Sequence, residues 1–305
     1  MDLDKYSREK AEEVFKTLPY TTVSDDVYRE HIKRRPLYRR LAKDFVNIAT
    51  KVAAVLFIPV ALYAMYHYFN PRTEIVKEYI SVVPQIPAQL DASLEYITNP
   101  GVKGKVILPD SSEVWVNSCS SLKVPSKFDS TVRYIELSGE AYFKVRSHKN
   151  WPMYIKTPQG VVTKVLGTEF NLSAYKNDAV VKLTLINGKV ELINNNKKAV
   201  QLLPNEQITV FNNQPVAHKK ERIRDIENDI AWKDGYLIFE NTPMSDVIKK
   251  LERWYGVNVT IRSKEILNLN FTARFKSESV TQVLDLLKIS SKISYRIDKN
   301  RVILY

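Results

Sequence analysis

One stretch constrains this chain more than any other: the run from Val52 to Phe69, VAAVLFIPVALYAMYHYF, contains no Asp, Glu, Lys or Arg. Eighteen helical residues at about 1.5 Å each span about 27 Å, close to the hydrocarbon thickness of a bilayer. Tyr63, Tyr66 and Tyr68 gather at its far end, where amphipathic rings favour the headgroup level, and Lys51 stands at the near end. A buried helix of a soluble domain would show polar residues along one face. A cleaved leader would not wait behind fifty mostly polar residues. The expectation is one transmembrane helix over residues 50–70.

The charges around this run give it a direction. Lys33, Arg34, Arg35, Arg39, Arg40, Lys43 and Lys51 precede it against the single acid Asp44, whereas Arg72 and Lys77 beyond it are balanced by Glu74 and Glu78. The positive-inside rule then places the N-terminus in the cytoplasm and everything after Asn70 in the periplasm, as for a single-pass protein of a Gram-negative inner membrane. Much of the net charge of +12 is therefore topological. A basic cluster beside a membrane segment is claimed by anionic lipid, so no direct nucleic-acid role is expected.

Residues 1–47 read as a helical arm. Val14, Phe15 and Leu18 fall at helical spacing, and Ser24-Asp25-Asp26 can cap a second piece carrying Tyr28 and Ile32. So few large apolar side chains bury little core alone, which makes these five the candidate contacts of an arm that folds against a partner. Residues 71–100, with Pro84 and Pro87 and little periodicity, read as a tether.

From 101 to 217 the pattern changes to short alternating runs, such as Val114 to Val116, Tyr134 to Leu137, Ala141 to Val145 and Val180 to Ile186. Turn residues separate them at Pro109-Asp110-Ser111-Ser112, Ser138-Gly139, Asn187-Gly188 and Leu203-Pro204-Asn205. About ten strands without a helix imply an all-β domain: a sandwich, roll or solenoid. A charged linker, 218–231, follows. Over 232–305 strands alternate with two helices, the first opened by Pro243 and closed by Gly256, in the order βαββαβ plus one terminal strand, a small α+β domain.

Little in the sequence points to catalysis. Cys119 is the only cysteine, and His31, His67, His148 and His218 show no metal-ligand spacing, so no metal and no cofactor is expected. Eight scattered glycines make no phosphate cradle, and Asp110 and Glu140 read as turn chemistry and surface charge. Trp115, Trp151, Trp232 and Trp254 offer possible sugar-stacking faces, which keeps a membrane-tethered periplasmic scaffold or glycan-binding protein as the alternative; core packing is the default for Trp115 and Trp254.

Five blocks carry a family resemblance: Leu108-Pro109-Asp110 with Val114-Trp115-Val116-Asn117; Leu137 to Phe143; Val165-Leu166-Gly167-Thr168-Glu169-Phe170-Asn171; Trp232 to Gly235; and Leu251 to Val257. From about Gly101 to Tyr305 the chain resembles the FecR-type transmembrane anti-sigma factors. Ser111 departs from the pattern, standing where the family usually has a glycine at a turn position suited to positive φ. The cytoplasmic arm is also shorter than in many members and lacks tryptophan. The resemblance implies a regulator, not an enzyme, controlling transcription of nutrient-uptake genes. It implies a cytoplasmic extracytoplasmic-function sigma factor as partner of the arm. It further implies the N-terminal signalling domain of a TonB-dependent outer-membrane receptor as partner outside, with regulatory proteases, and a C-terminal domain like the short signalling domain of secretins and such receptors. In some relatives the chain cuts itself at the corresponding Gly-Thr, which makes Gly167 and Thr168 candidates; with no activating base to name, the simpler reading is a tight turn between two buried strands.

Overall fold

The structure, a computed structural model, describes residues 57–62, 65, 78–80, 93–193, 198–211, 218–291 and 293–305. The chain divides into two units, 1–72 and 73–305. In the first, residues 57–62 and 65 are helical, and Phe57, Ile58, Val60, Leu62 and Met65 are exposed. Among the described residues no helix is long and apolar enough to cross a membrane. The rest of the apolar run lies outside the described residues. So do Val14, Phe15, Leu18, Tyr28 and Ile32 of the arm and Lys33, Arg34, Arg35, Arg39, Arg40, Lys43 and Lys51.

Among the described residues the second unit begins with a β body of fourteen strands in one curled sheet. In chain order these are β1 (Glu78–Ile80), β2 (Ser93–Ile97), β3 (Gly104–Ile107), β4 (Glu113–Val116), β5 (Ser121–Pro125), β6 (Arg133–Lys144) and β7 (Met153–Lys156). They continue with β8 (Val162–Val165), β9 (Glu169–Ala174), β10 (Val180–Asn187), β11 (Val190–Ile193), β12 (Lys198–Leu202), β13 (Glu206–Phe211) and β14 (His218–Arg222). β6 belongs to both halves of the curl: Arg133 to Ser138 lie against β5 and β7, and Gly139 to Lys144 against β4 and β9. One half runs β2-β5-β6-β7-β8-β11-β12-β1, the other β14-β13-β10-β9-β6-β4-β3. Inward residues of both halves, among them Leu122, Ile135, Phe143, Leu172 and Leu185, form one core, with Phe143 stacked on its cross-strand partner Phe170 at 4.9 Å.

Several local expectations are corrected here. Ser138-Gly139 is no turn but the midpoint of the continuous strand β6, where Gly139 adopts φ 113°. Asn187-Gly188 and Gly167-Thr168 do connect buried strands as expected, and the strands they join, β10 to β11 and β8 to β9, lie in different halves of the sheet. The stretch 71–100 contains β1, paired with β12, and β2, paired with β5. The charged linker contains β14, which extends the sheet beyond β13.

Asp110 is likewise not a surface charge. Arg133 and Asp110 have fully buried side chains and pair at 2.6 Å. The guanidinium also donates to the carbonyls of Trp151 and Arg146, each at 3.0 Å, while Asp110 accepts from the amide and hydroxyl of Ser112. A buried charge pair is tolerated when its remaining donors and acceptors are satisfied, as these are. The same turn places Ser111 at φ 66°, the left-handed conformation expected of a position where glycine is usual.

The C-terminal body follows α1 (Glu227–Ile230) and a 3-10 turn, Ala231–Asp234. It comprises β15 (Leu237–Pro243), α2 (Met244–Tyr255), β16 (Asn258–Ile261), β17 (Asn270–Phe275), α3 (Val280–Ser291), β18 (Tyr295–Asp298) and β19 (Arg301–Leu304). This is the expected order. β15 pairs with β17, and β19 lies between β16 and β18. α2 turns Val247, Ile248 and Leu251 onto Phe239, Val283 and Leu287 of a second core, and Gly256, at φ 68°, ends it by donating to the Glu252 carbonyl. α3 opens on a capping pair, with Ser279 N–H donating to Gln282 Oε1.

Two stability changes follow. Asp110→Ala, which strands a buried guanidinium, is expected to lower unfolding free energy by about 3–5 kcal/mol. Ser111→Gly, at an exposed left-handed position, is expected to raise it by about 1 kcal/mol. Denaturant unfolding of the two variants beside the parent checks both.

Candidate functional site

The outward residues of β9, β10 and β13 alternate with core residues and so ought to face water. Asn171, Thr184 and Gln207 do not; all three are buried. What covers them is α1 and the 3-10 turn after it. Asp229 Oδ2 accepts hydrogen bonds from the Thr184 hydroxyl at 2.8 Å and from Gln207 Nε2, and the Trp232 indole N–H donates to Asn171 Oδ1 at 3.1 Å.

Asn171 passes the contact inward. Its amide donates to Glu140 Oε1 at 2.9 Å, and Asn117 Nδ2 donates to Glu140 Oε2 at 2.8 Å, so two amides hold one carboxylate. Glu140 is half-buried, opening onto a cavity of about 390 Å³ between the β body and the C-terminal body that Tyr175, Trp232, Lys250 and Arg253 also line. Burial raises its pKa above the usual carboxylate value, against the two amide hydrogen bonds and the charge of Lys250. Burial also lowers the pKa of Lys250, which Glu140 opposes.

A second set of contacts clamps the end of α2. Arg253 makes a two-pronged pair with Asp178, at 2.6 and 2.9 Å, adds Asn177 at 2.7 Å, and lies 3.6 Å over the Tyr175 ring. Tyr175 in turn donates to the Ser118 carbonyl, and burial holds its pKa well above normal. From the loop between β2 and β3, Gly101 N–H donates to the Arg253 carbonyl at 2.8 Å and the Lys103 ammonium sits 3.4 Å over Trp254. The arrangement is built to fasten two bodies together.

The other sequence candidates fall elsewhere. Thr168 is buried and its hydroxyl donates to the Lys189 carbonyl at 2.8 Å. Gly167 is not among the residues at positive φ; a Cβ there would meet Ser147 at 2.5 Å, so it serves close approach rather than backbone freedom. Of the tryptophans, Trp232 and Trp254 belong to the junction. Trp115 packs edge-on against Tyr142 under Lys105, and Trp151 beside Phe128 and His148. Among the described residues no group of three or more His, Cys, Asp or Glu gathers where a metal could sit.

Two family models match in sequence order: the FecR protein model over residues 95–191 and the FecR C-terminal model over 236–304. Two crystal structures of a candidate anti-sigma factor from Parabacteroides distasonis are each similar, at 33% identity and a TM-score of 0.65, covering 70% of this chain and 98% of theirs. This chain belongs to the FecR family. No curated protein matches it. The residue blocks that distinguish a FecR chain meet at the junction: Asn117, Glu140 and Asn171 come from three of them, Trp232 from the fourth, and Arg253 with Trp254 from the fifth.

The raised Glu140 pKa has a testable sign. A carboxyl that binds its proton more tightly when folded adds stability that is full below its unfolded value of about 4.3 and is lost as pH rises through the folded value. Glu140→Gln carries no such term. The melting temperature of the variant minus that of the parent is therefore expected to climb as pH rises from about 4 upward; a flat difference contradicts the assignment.

Proposed function

We propose that this FecR protein is an anti-sigma factor. It relays a periplasmic signal from an outer-membrane TonB-dependent transducer to a cytoplasmic extracytoplasmic-function sigma factor, controlling transcription of nutrient-uptake genes. The observation that carries the reading is 33% identity, over 98% of its length, to a solved chain described as a candidate anti-sigma factor. The apolar run from Val52 to Phe69 and its seven basic neighbours support a single crossing of the inner membrane, N-terminus inside. On this reading residues 1–47 hold the sigma factor through Val14, Phe15, Leu18, Tyr28 and Ile32, and the C-terminal body meets the signalling domain of the transducer. The fastened junction suits such a relay, because load placed on one body is passed to the other. Regulatory proteases complete the release step.

Co-purification tests this. The full chain, solubilised in detergent, is expected to retain an extracytoplasmic-function sigma factor of the same cell at micromolar concentration, and to lose it when Phe15 and Leu18 are changed to Asp. No association of the parent chain overturns the reading.

A further inference from the structure

The clamp on α2 reaches beyond the junction into one edge of the β body. Among the described residues β2 pairs with β5 alone, and Leu94, Tyr96 and Ile97 along it are exposed, so the strand has little packing there. Its anchor is the residue that follows. Thr98 is buried; its hydroxyl donates to the Asn117 carbonyl at 2.6 Å and accepts from Ser120 N–H at 3.0 Å, and its N–H donates to the Ser120 carbonyl at 2.9 Å.

The bend that anchors Thr98, residues 117–120, also supports the clamp. Ser118 offers its carbonyl to Tyr175, whose ring lies beneath Arg253, and Asn117 holds Glu140. Three residues after Thr98, Gly101 donates to the carbonyl of Arg253 itself, and Lys103 covers Trp254. β2 is therefore tied to the last turn of α2 by two routes: directly along the chain through Gly101 and Lys103, and through the 117–120 bend and Tyr175. Neither route passes through the apolar core.

We propose that the last turn of α2 and the edge strand β2 form one coupled element, so that lifting the C-terminal body off its clamp frees β2 from β5. An edge strand with exposed side chains sits at the low end of local stability, and removing external ties exposes that weakness. In sequence β2 follows β1, itself paired with β12, and both stand between the unit that ends at Arg72 and the rest of the β body. The inference goes beyond the anti-sigma reading and does not require it.

Hydrogen exchange on the full chain in detergent micelles, followed by mass spectrometry, tests the coupling in both directions. Arg253→Ala is expected to speed exchange in residues 93–98 on the order of tenfold or more, while 133–144 in β6 keep their protection. Faster exchange at 252–256 with 93–98 unchanged overturns the proposal. Should Arg253→Ala raise exchange uniformly by unfolding the chain, Thr98→Val decides. That change removes hydroxyl contacts wholly inside the β body, and reciprocity demands faster exchange at 252–256; unchanged exchange there overturns the proposal. No partner is needed for this readout, so a chain that binds no sigma factor can still show the coupling.

Discussion

The β body rests on close approach of backbone at its corners. Among the passages of the chain between the two halves of the curled sheet are 117–120, 166–168 and 187–189, and at these backbone lies against backbone or a short side chain with no room for an extra carbon on the glycine involved. A Cβ on Gly139 would fall 2.3 Å from Ser120 Oγ, and one on Gly188 2.7 Å from the carbonyl oxygen of Gly167. Both glycines also stand at positive φ, so space and conformation select the same residue twice. Because Gly139 lets the 117–120 bend settle on β6, Ser120 Oγ can accept the Glu140 N–H at 2.9 Å and Asn117 can reach the Glu140 side chain. The junction is a consequence of that approach.

Two polar centres, one fully buried and one half-buried, divide the work of the fold. Asp110 and Arg133 tie the start of β6 to the carbonyls of Arg146 and Trp151, closing one end of the body with charge matched by charge. Glu140 is held differently, by neutral amides from Asn117 and Asn171, and its pKa rises because amide hydrogen bonds do not offset the loss of water. The first centre is a lock that gains nothing from opening. The second sits beside a cavity at a boundary between bodies, where separation would return water to the carboxylate and relieve part of that cost.

Much of the architecture was legible because its physics is periodic. The change from a two-residue to a 3.6-residue repeat after about residue 232 marks the C-terminal body, and Pro243 and Gly256 bound α2 as fixed and left-handed φ should. The misreadings share a cause, which is that a local signal has more than one tertiary use. Gly139 looks like a turn, yet here glycine gives room for the 117–120 bend at Ser120. Asp110 looks like a turn acid, and it is one toward Ser112, but its second oxygen meets Arg133, twenty-three residues away and without a local signature of its own. Asn171, Thr184 and Gln207 look solvent-facing because their strands alternate; only the packing of Asp229 and Trp232 over them reveals otherwise. β5 (SLKVP) is short and ends on a proline, and β12 (KAVQL) is short and does not alternate regularly, so pairing rather than composition defines them.

The resemblance blocks pointed to the family and were silent about what their residues do together. The junction supplies a physical reason. Asn117, Glu140, Asn171 and Trp232 form one hydrogen-bonded line from a bend in the β body to the segment that enters the C-terminal body. Each member leaves its neighbour with an unpaired buried group if removed, so the cost of losing one exceeds the worth of its own bond. Arg253 adds a charged clamp at the far end of α2, where the helix dipole favours a cation and Asp178 completes the pair. A line of side-chain hydrogen bonds on one side and an ion pair on the other hold the boundary by polar contacts rather than by the apolar core of either body. A junction of aliphatic side chains would have fused the two bodies into one, and a purely water-exposed one would have left them uncoupled.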